Sequence, residues 1–306
     1  MVELRDVTVV FVTYNSAGCI AQAIEAVPAD MPVIIVDNAS RDETVGLARA
    51  ARPGIRVEVC KENGGYGAAL NRGARLADTE FVLLSNPDIL ISPRGIAELL
   101  ASTESFPNSF LFSPLVLGHH DEPEEFTRGG LFSPTHPLFK PLTKQSWVRR
   151  DVPDAPLEVE WVGGCVMLAR RQEFLDFGGF DENIFLFFEE TDLCYRATRA
   201  GHLPVFVPCD PMRHLVSLSS GPITIDKLYF RQWHYSWSRF YLARKYSERV
   251  AWWQPLYYPL LFALKRYGYA LLGRKKKAAY YAAHLSGALT ALRGGAARIA
   301  SPWDKR

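Results

Sequence analysis

Val7-Thr8-Val9-Val10-Phe11-Val12-Thr13-Tyr14-Asn15 decides how the first half of the chain is read. Val7–Val12 lacks the polar alternation of a half-exposed strand, so it reads as a strand buried on both faces. Working outward, Ser16–Val27 reads as a helix with Ser16 near its cap, Val33–Val36 as a strand and Asp42–Ala51 as a helix. Ile55–Cys60 follows as a strand, Gly67–Ala77 as a helix and Phe81–Leu84 as a strand. Apolar strands alternating with helices predict an α/β fold: a Rossmann-like, mostly parallel sheet with helices on both faces. Ligands of such sheets bind beyond the carboxyl ends of the strands. The informative loops are therefore those after Val12, Val36, Cys60 and Leu84.

Further along, Pro114–Pro156 contains seven prolines and reads as a long loop with short strands. Trp161–Ala169 reads as a strand, Glu189–Ala200 as a helix and Leu203–Val207 as a strand. The pattern changes after Gly221. Ile225–Tyr246, Leu256–Leu272 and Lys276–Leu292 read as helices, giving an expected domain of residues 1–222 and a helical extension of 223–306.

Composition narrows the function classes. The chain has 306 residues, and a 12% aromatic content supplies enough apolar surface for a core, which excludes disorder as its main state. Cys19, Cys60, Cys165, Cys194 and Cys209 are scattered and never in CxxC spacing, which argues against a disulfide framework or structural zinc. The net charge of +2 hides an asymmetry: 14 Lys/Arg lie from Arg239 onward against only Glu248 and Asp304. A basic tail on an acidic body suggests an anionic partner surface. The start of the chain lacks a charged segment leading into an apolar stretch, so no secretory signal is expected. The run Ala251–Leu264 is shorter than the roughly 20 residues that span a bilayer.

Taken singly, the loops are ambiguous. Thr13-Tyr14-Asn15-Ser16 is neither GxGxxG nor a P-loop. Asp37-Asn38-Ala39-Ser40 places a carboxylate at a strand end, where it can accept from a base or ribose, yet a turn and helix cap is the simpler reading. Asn63-Gly64-Gly65-Tyr66-Gly67 puts glycine amides before a helix, an arrangement suited to anions. Asn86-Pro87-Asp88 is ordinary turn chemistry that also offers Asp88 to a hard cation. On a helical wheel, Leu193, Cys194, Ala197 and Ala200 define the inward face of Glu189–Ala200. Glu190 lies near the middle of that face and Glu189 at its edge, while Asp192 pairs outward with Arg196. An inward Glu190 needs a partner, a shifted pKa or a function. His119 and His120, with Asp121 and Glu122, read as a solvated loop rather than a metal cluster.

In combination and order, these segments resemble the family 2 inverting glycosyltransferases of the GT-A type, most closely the bacterial rhamnosyltransferase-like branch. The carriers also include Trp161-Val162-Gly163-Gly164-Cys165 and Gly178-Gly179-Phe180-Asp181-Glu182 through Glu189-Glu190-Thr191-Asp192, and together they span about residues 7–220. The resemblance implies that Thr13, Tyr14, Asn15, Asp37 and Asn38 hold the nucleoside of a sugar nucleotide. It implies that Gly64, Gly65, Asn71 and Asn86 line the donor site, and that Asp88 and His214 hold a divalent cation, Mg2+ or Mn2+. It implies Glu190 as catalytic base, where relatives carry Glu-Asp rather than Glu189-Glu190. The loop His214-Leu215-Val216-Ser217-Leu218-Ser219 lacks the glycine of the family pattern.

The implied activity is transfer of a sugar, rhamnose among the candidates, from a nucleoside-diphosphate donor to a lipid-linked or polysaccharide acceptor. Trp252, Trp253, Tyr257, Tyr258, Tyr267 and Tyr269 beside Arg274-Lys275-Lys276-Lys277 suit a membrane headgroup region. A cytoplasmic protein peripheral on the cell membrane is therefore expected. The other reading of this tail is packing on the core or homodimerisation through the C-terminal helices. No nucleic-acid module is recognisable. Two further readings are a catalytically silent scaffold of polysaccharide assembly and, with less support, a nucleotide-dependent oxidoreductase.

Overall fold

The computed structural model describes residues 3–118, 120–124, 152–215, 224–249 and 251–299. These divide into two compact units. One takes the described residues within Met1–Gly130, Lys144–Asp181 and Glu189–Ser219, the other those within Glu182–Phe188 and Ser220–Arg306. Glu182–Phe188, expected in the first domain, thus groups with the C-terminal helices.

The first unit is a sheet between two layers of helices. Its strands are β1 (Val7–Thr13), β2 (Val33–Asp37), β3 (Arg56–Val59), β4 (Phe81–Ser85), β5 (Ile89–Leu90), β6 (Leu111–Leu117), β7 (Leu157–Glu158), β8 (Val166–Arg170) and β9 (Val205–His214). Their order is β3-β2-β1-β4-β8-β6-β9-β5, with β7 paired to β9. The first four strands run parallel, whereas β8 is antiparallel to both β4 and β6. As expected, β1, β2 and β4 are buried along their whole length.

Alternate residues of these strands feed two cores. Val9, Phe11, Ile35 and Leu83 pack with Ile20 and Ile24 of α1 (Ile20–Glu25), Ala48 of α2 (Thr44–Ala51) and Leu99 of α4 (Pro93–Ser105). Val10, Val12, Val36 and Leu84 pack with Leu70 of α3 (Tyr66–Leu76), Phe174 of α5 (Arg171–Asp176) and Leu193 of α6 (Glu189–Arg199). A Cβ at Gly73 would collide with Val10, so this glycine sets how closely α3 lies on β1. Expected boundaries shift, and β9 runs on to His214 rather than ending at Val207. The first helix begins at Ile20 rather than Ser16, and β8 begins at Val166 rather than Trp161.

The second unit contains α7 (Ile225–Lys245), α8 (Gln254–Leu271) and α9 (Lys275–Leu292). Ser236 Oγ donates to His284 O at 2.7 Å, and Trp233 Nε1 to Ser286 Oγ at 3.1 Å. A Cβ at Gly287 would strike the Trp233 carbonyl, so glycine permits this close approach of α7 and α9.

Candidate active site

The loops after the parallel strands brace one another. Thr13 Oγ1 and Ser40 Oγ donate to Asp37 Oδ1 at 2.7 and 2.5 Å, and Ser40 N donates to Oδ2 at 2.8 Å. Asn15, at φ 52°, donates its amide to Ser40 Oγ at 2.8 Å and accepts from Arg41 N at 2.8 Å. Asn15 and Tyr14 stay partly accessible, while Asp37 and Asn38 are buried. The carboxylate at 37 therefore organises the turn. The amides at Gly64 and Gly65, expected to face an anion, donate instead to Asn38 Oδ1 at 3.4 Å and Asn63 Oδ1 at 2.9 Å. The Asn71 side chain exchanges two 2.9 Å bonds with the Phe180 backbone and so fixes the Gly179–Phe180 turn.

Asp88 and His214 meet because strand register brings them together. Ile89 of β5 pairs with His214 at the end of β9, and Leu215 N donates to Asp88 O at 2.8 Å. His214 Nε2 stands 3.3 Å from Asp88 Oδ1, and Nδ1 stands 2.6 Å from Glu124 Oε1. Burial alone would lower the His214 pKa, but the hydrogen bonds and charges of Asp88 and Glu124 outweigh it and push it up to about 10. Cys165 Sγ lies 3.6 Å from Glu124 Oε2, and Asn86 N donates to Cys165 O at 2.8 Å. Ser217 and Ser219 lie outside the described residues, as does His119; His120, Asp121 and Glu122 are exposed.

The Gly164 carbonyl accepts from Tyr66 Oη at 2.9 Å. A Cβ on Gly164 would stand 3.2 Å from Glu190 Cβ, so Glu190 packs directly on this glycine. Thr191 Oγ1 donates to Glu190 Oε1 at 3.1 Å and accepts from Trp161 Nε1 at 3.0 Å. Burial raises the pKa of both carboxyls, and the neighbouring charge of Glu190 raises Glu189 further, well above the carboxylate range. The Tyr66 phenol is also pushed up, by burial and by the charges of Cys165, Glu189, Asp88 and Glu190.

Helix α6 departs from the expected single inward face in two ways. Asp192 is fully buried, paired with Arg196 at 2.8 Å, and Arg196 also donates to the carbonyls of Phe177 and Gly179. Ala200 is exposed, and Glu189 is more buried than Glu190. The reason is that α6 is enclosed around most of its circumference, so a single inward face does not exist. Phe187 and Phe188 precede it in left-handed backbone at φ 68° and 70°, a conformation costing about 1–3 kcal/mol each.

Residues 8–145 match the family described as Glycosyl transferase family 2. A Mycobacterium tuberculosis protein, N-acetylglucosaminyl-diphospho-decaprenol L-rhamnosyltransferase, is 29% identical over 281 residues, covering 84% of this chain and 88% of its own. This chain is similar to that family over just under half of its length. Among solved structures, the Pyrobaculum calidifontis mannosyltransferase PcManGT in complex with GDP-Man and Mn2+ aligns at TM-score 0.54 and 16% identity, over 98% of this chain and 88% of that one. S. aureus TarS 1-349 in complex with UDP-GlcNAc aligns at TM-score 0.52 and 14% identity, over 96% and 93%. The fold is the expected GT-A fold.

Gly164 and Cys165 join the two clusters. One touches Glu190, and the next reaches Glu124 beside the Asp88–His214 pair. Sequence reading missed Glu124, Tyr66 and Trp161. Tyr66 and Trp161 lay inside quoted segments and are large polar aromatics beside glycines, a usable signal. Glu124 offered none, because only the strand register brings it to His214.

Proposed function

We propose that the chain is an inverting transferase that moves rhamnose from a nucleoside-diphosphate donor to a hydroxyl of a lipid-linked acceptor. The observation that carries this reading is the adjacency of Glu190 and the Asp88–His214 pair across Gly164 and Cys165. It supports a base and a phosphate-binding centre on either side of one sugar. Thr13, Tyr14, Asn15, Asp37 and Asn38 would bind the nucleoside, and Gly64, Gly65 and Asn86 would border the diphosphate and sugar.

Asp88 and His214 would hold a divalent cation, Mg2+ or Mn2+. Their donor atoms, 3.3 Å apart, fit neighbouring ligands of a small ion, which sit about 3 Å apart. Bound there, the ion supplies positive charge opposite the diphosphate leaving group. Glu190 accepts the proton of the acceptor hydroxyl. The oxygen then bonds to the anomeric carbon on the face opposite the departing phosphate oxygen, which leaves with the bonding pair. Burial helps Glu190 by raising its pKa toward neutrality, where a base is most effective.

The test is incubation with deoxythymidine-diphosphate rhamnose, Mn2+ and a polyprenyl-diphosphate-linked N-acetylglucosamine, with NMR of the new anomeric centre. The expected product has inverted configuration. Retained configuration, or no transfer, rejects the reading.

A membrane-surface acceptor is supported by α8. Leu256, Leu260, Leu264, Tyr267 and Leu271 are exposed and fall within about 80° of one another at 100° per residue. Trp252 and Leu271 are 82% and 90% exposed, and Arg274–Lys277 follow, also exposed. Among the described residues no helix is long and apolar enough to cross a membrane. An apolar stripe beside cations suits a helix lying in the headgroup layer. Co-sedimentation with phosphatidylglycerol vesicles is expected to weaken at least about tenfold in Leu260→Glu/Leu264→Glu. Unchanged binding, or loss of a dimer instead, rejects membrane docking in favour of another role for this face.

A further inference from the structure

The metal-binding reading of Asp88 and His214 leaves Glu124 without a role, yet its placement is specified at every level. Gly118 N donates to Glu122 O at 2.9 Å, turning the chain back after β6, and Glu124 N donates to Val116 O at 2.8 Å. Val116 in turn pairs with Met212 of β9, and Leu117 with Arg213. The return therefore sets Glu124 beside the end of β9, at His214.

The side chain is held at both oxygens. Oε1 lies 2.6 Å from His214 Nδ1, and Oε2 accepts from the Cys165 thiol at 3.6 Å. Burial pushes the Cys165 thiol well up, and the charge and hydrogen bond of Glu124 push it further, so it serves Glu124 as a donor. Glu124, Cys165 and His214 form a group whose candidate ligand atoms lie within 4.8 Å of one another. The two ring nitrogens of His214 nonetheless face different partners. At 2.6 Å from a carboxylate, Nδ1 carries a proton, and Nε2, 3.3 Å from Asp88 Oδ1, is the nitrogen that would give up its own proton to take a cation. A histidine ligand commonly donates its second N–H to a carboxylate, which fixes the ring and raises its basicity.

We propose that Glu124 is a positioning residue for the metal centre: it accepts the Nδ1–H of His214, presents Nε2 beside Asp88 to a divalent cation, and is itself held by the Cys165 thiol. The inference rests on the reading of Asp88 and His214 as the ligands, and it assigns Glu124 a place outside the metal's own ligand set. Removal of a partner of this kind typically weakens metal binding 10–100-fold.

The test is titration of Mn2+ alone into the full chain, followed by electron paramagnetic resonance of the free ion. Glu124→Ala is expected to weaken Mn2+ binding by about 10–100-fold. Glu124→Gln, whose amide oxygen still accepts from Nδ1–H, is expected to lose about tenfold or less, and provides the readout should the alanine variant fold poorly. The decisive comparison is a double-mutant cycle. In a His214→Ala background, adding Glu124→Ala is expected to change the affinity by less than about twofold, because its only route to the ion has gone. A further tenfold loss in that background would make Glu124 a direct ligand and overturn the proposal. Wild-type affinity in both Glu124 variants would overturn it while leaving the Asp88–His214 reading intact. Absence of Mn2+ binding by the wild-type chain would overturn both.

Discussion

The sheet unit and the helical unit both bury histidines, but against different partners. His214, between Asp88 and Glu124, has its pKa pushed up to about 10, because the two carboxylates outweigh the burial that would lower it. His234 sits among Phe185, Phe230 and Trp233, with ring centroids 4.5–4.9 Å away, and burial pushes it down to about 3. His284 is lowered to about 4 by burial and by the charge of Arg239. Burial opposes a charge in both units; the neighbours decide whether the charge survives. The first arrangement holds a histidine between carboxylates, while the second holds histidines among aromatic rings.

Removing the carboxylate proposed as the base should separate the units most sharply. Glu190→Gln is expected to lower turnover by about 10²–10⁴-fold, whereas His234→Phe leaves turnover unchanged. Comparable losses in a steady-state transfer assay would break the contrast. A subtler probe is Gly164→Ala, whose new methyl meets Glu190 Cβ at 3.2 Å. Small misplacement of a reacting group can cost up to about 10²-fold, so turnover should fall within that range while thermal stability holds. Wild-type turnover would show that Glu190 does not need its packing on Gly164.

The smallest effect concerns acid. In the unfolded chain His234 and His284 titrate near the ordinary value of 6.5; in the folded chain they do so at about 3 and about 4. Between those limits the unfolded state binds more protons, so stability is present above about pH 6.5 and is lost as pH falls. Urea unfolding followed by the fluorescence of Trp233 and Trp237 should show the helical unit weakening from pH 6.5 to 4, with less weakening in His234→Phe. Equal slopes for the two proteins would contradict the neutral burial of His234.

Much of this architecture was legible in local pattern. Val7–Val12, Val33–Val36 and Phe81–Leu84 are continuous apolar runs, and such runs belong to parallel strands covered on both faces. The helices of the second unit announced themselves by length and aromatic content. What stayed hidden depends on pairing across long separations. The β4–β8 ladder joins Phe81 to Arg170, and no local signal sets its start at Val166. The start falls there because Gly163 and Gly164 are held out of the ladder, where Gly164 meets Tyr66 and Glu190. The same limit explains the candidate site. Asp88, His214 and Glu190 stood out by residue type at element ends, whereas the partner of Asn71, Phe180, lies more than 100 residues away and no local pattern pointed to it. Asp192 looked like a surface charge because a helical wheel assumes one buried face.

The division of labour between Asp88 and Glu190 is the central claim, and calorimetric titration of a nucleoside diphosphate in the presence of Mn2+ tests it most directly. Wild type and Glu190→Gln are expected to bind with the same affinity, and Asp88→Asn to lose the Mn2+-dependent part of binding. Equal weakening in both variants, or none in Asp88→Asn, would contradict the assignment of cation and base to opposite sides of Gly164 and Cys165.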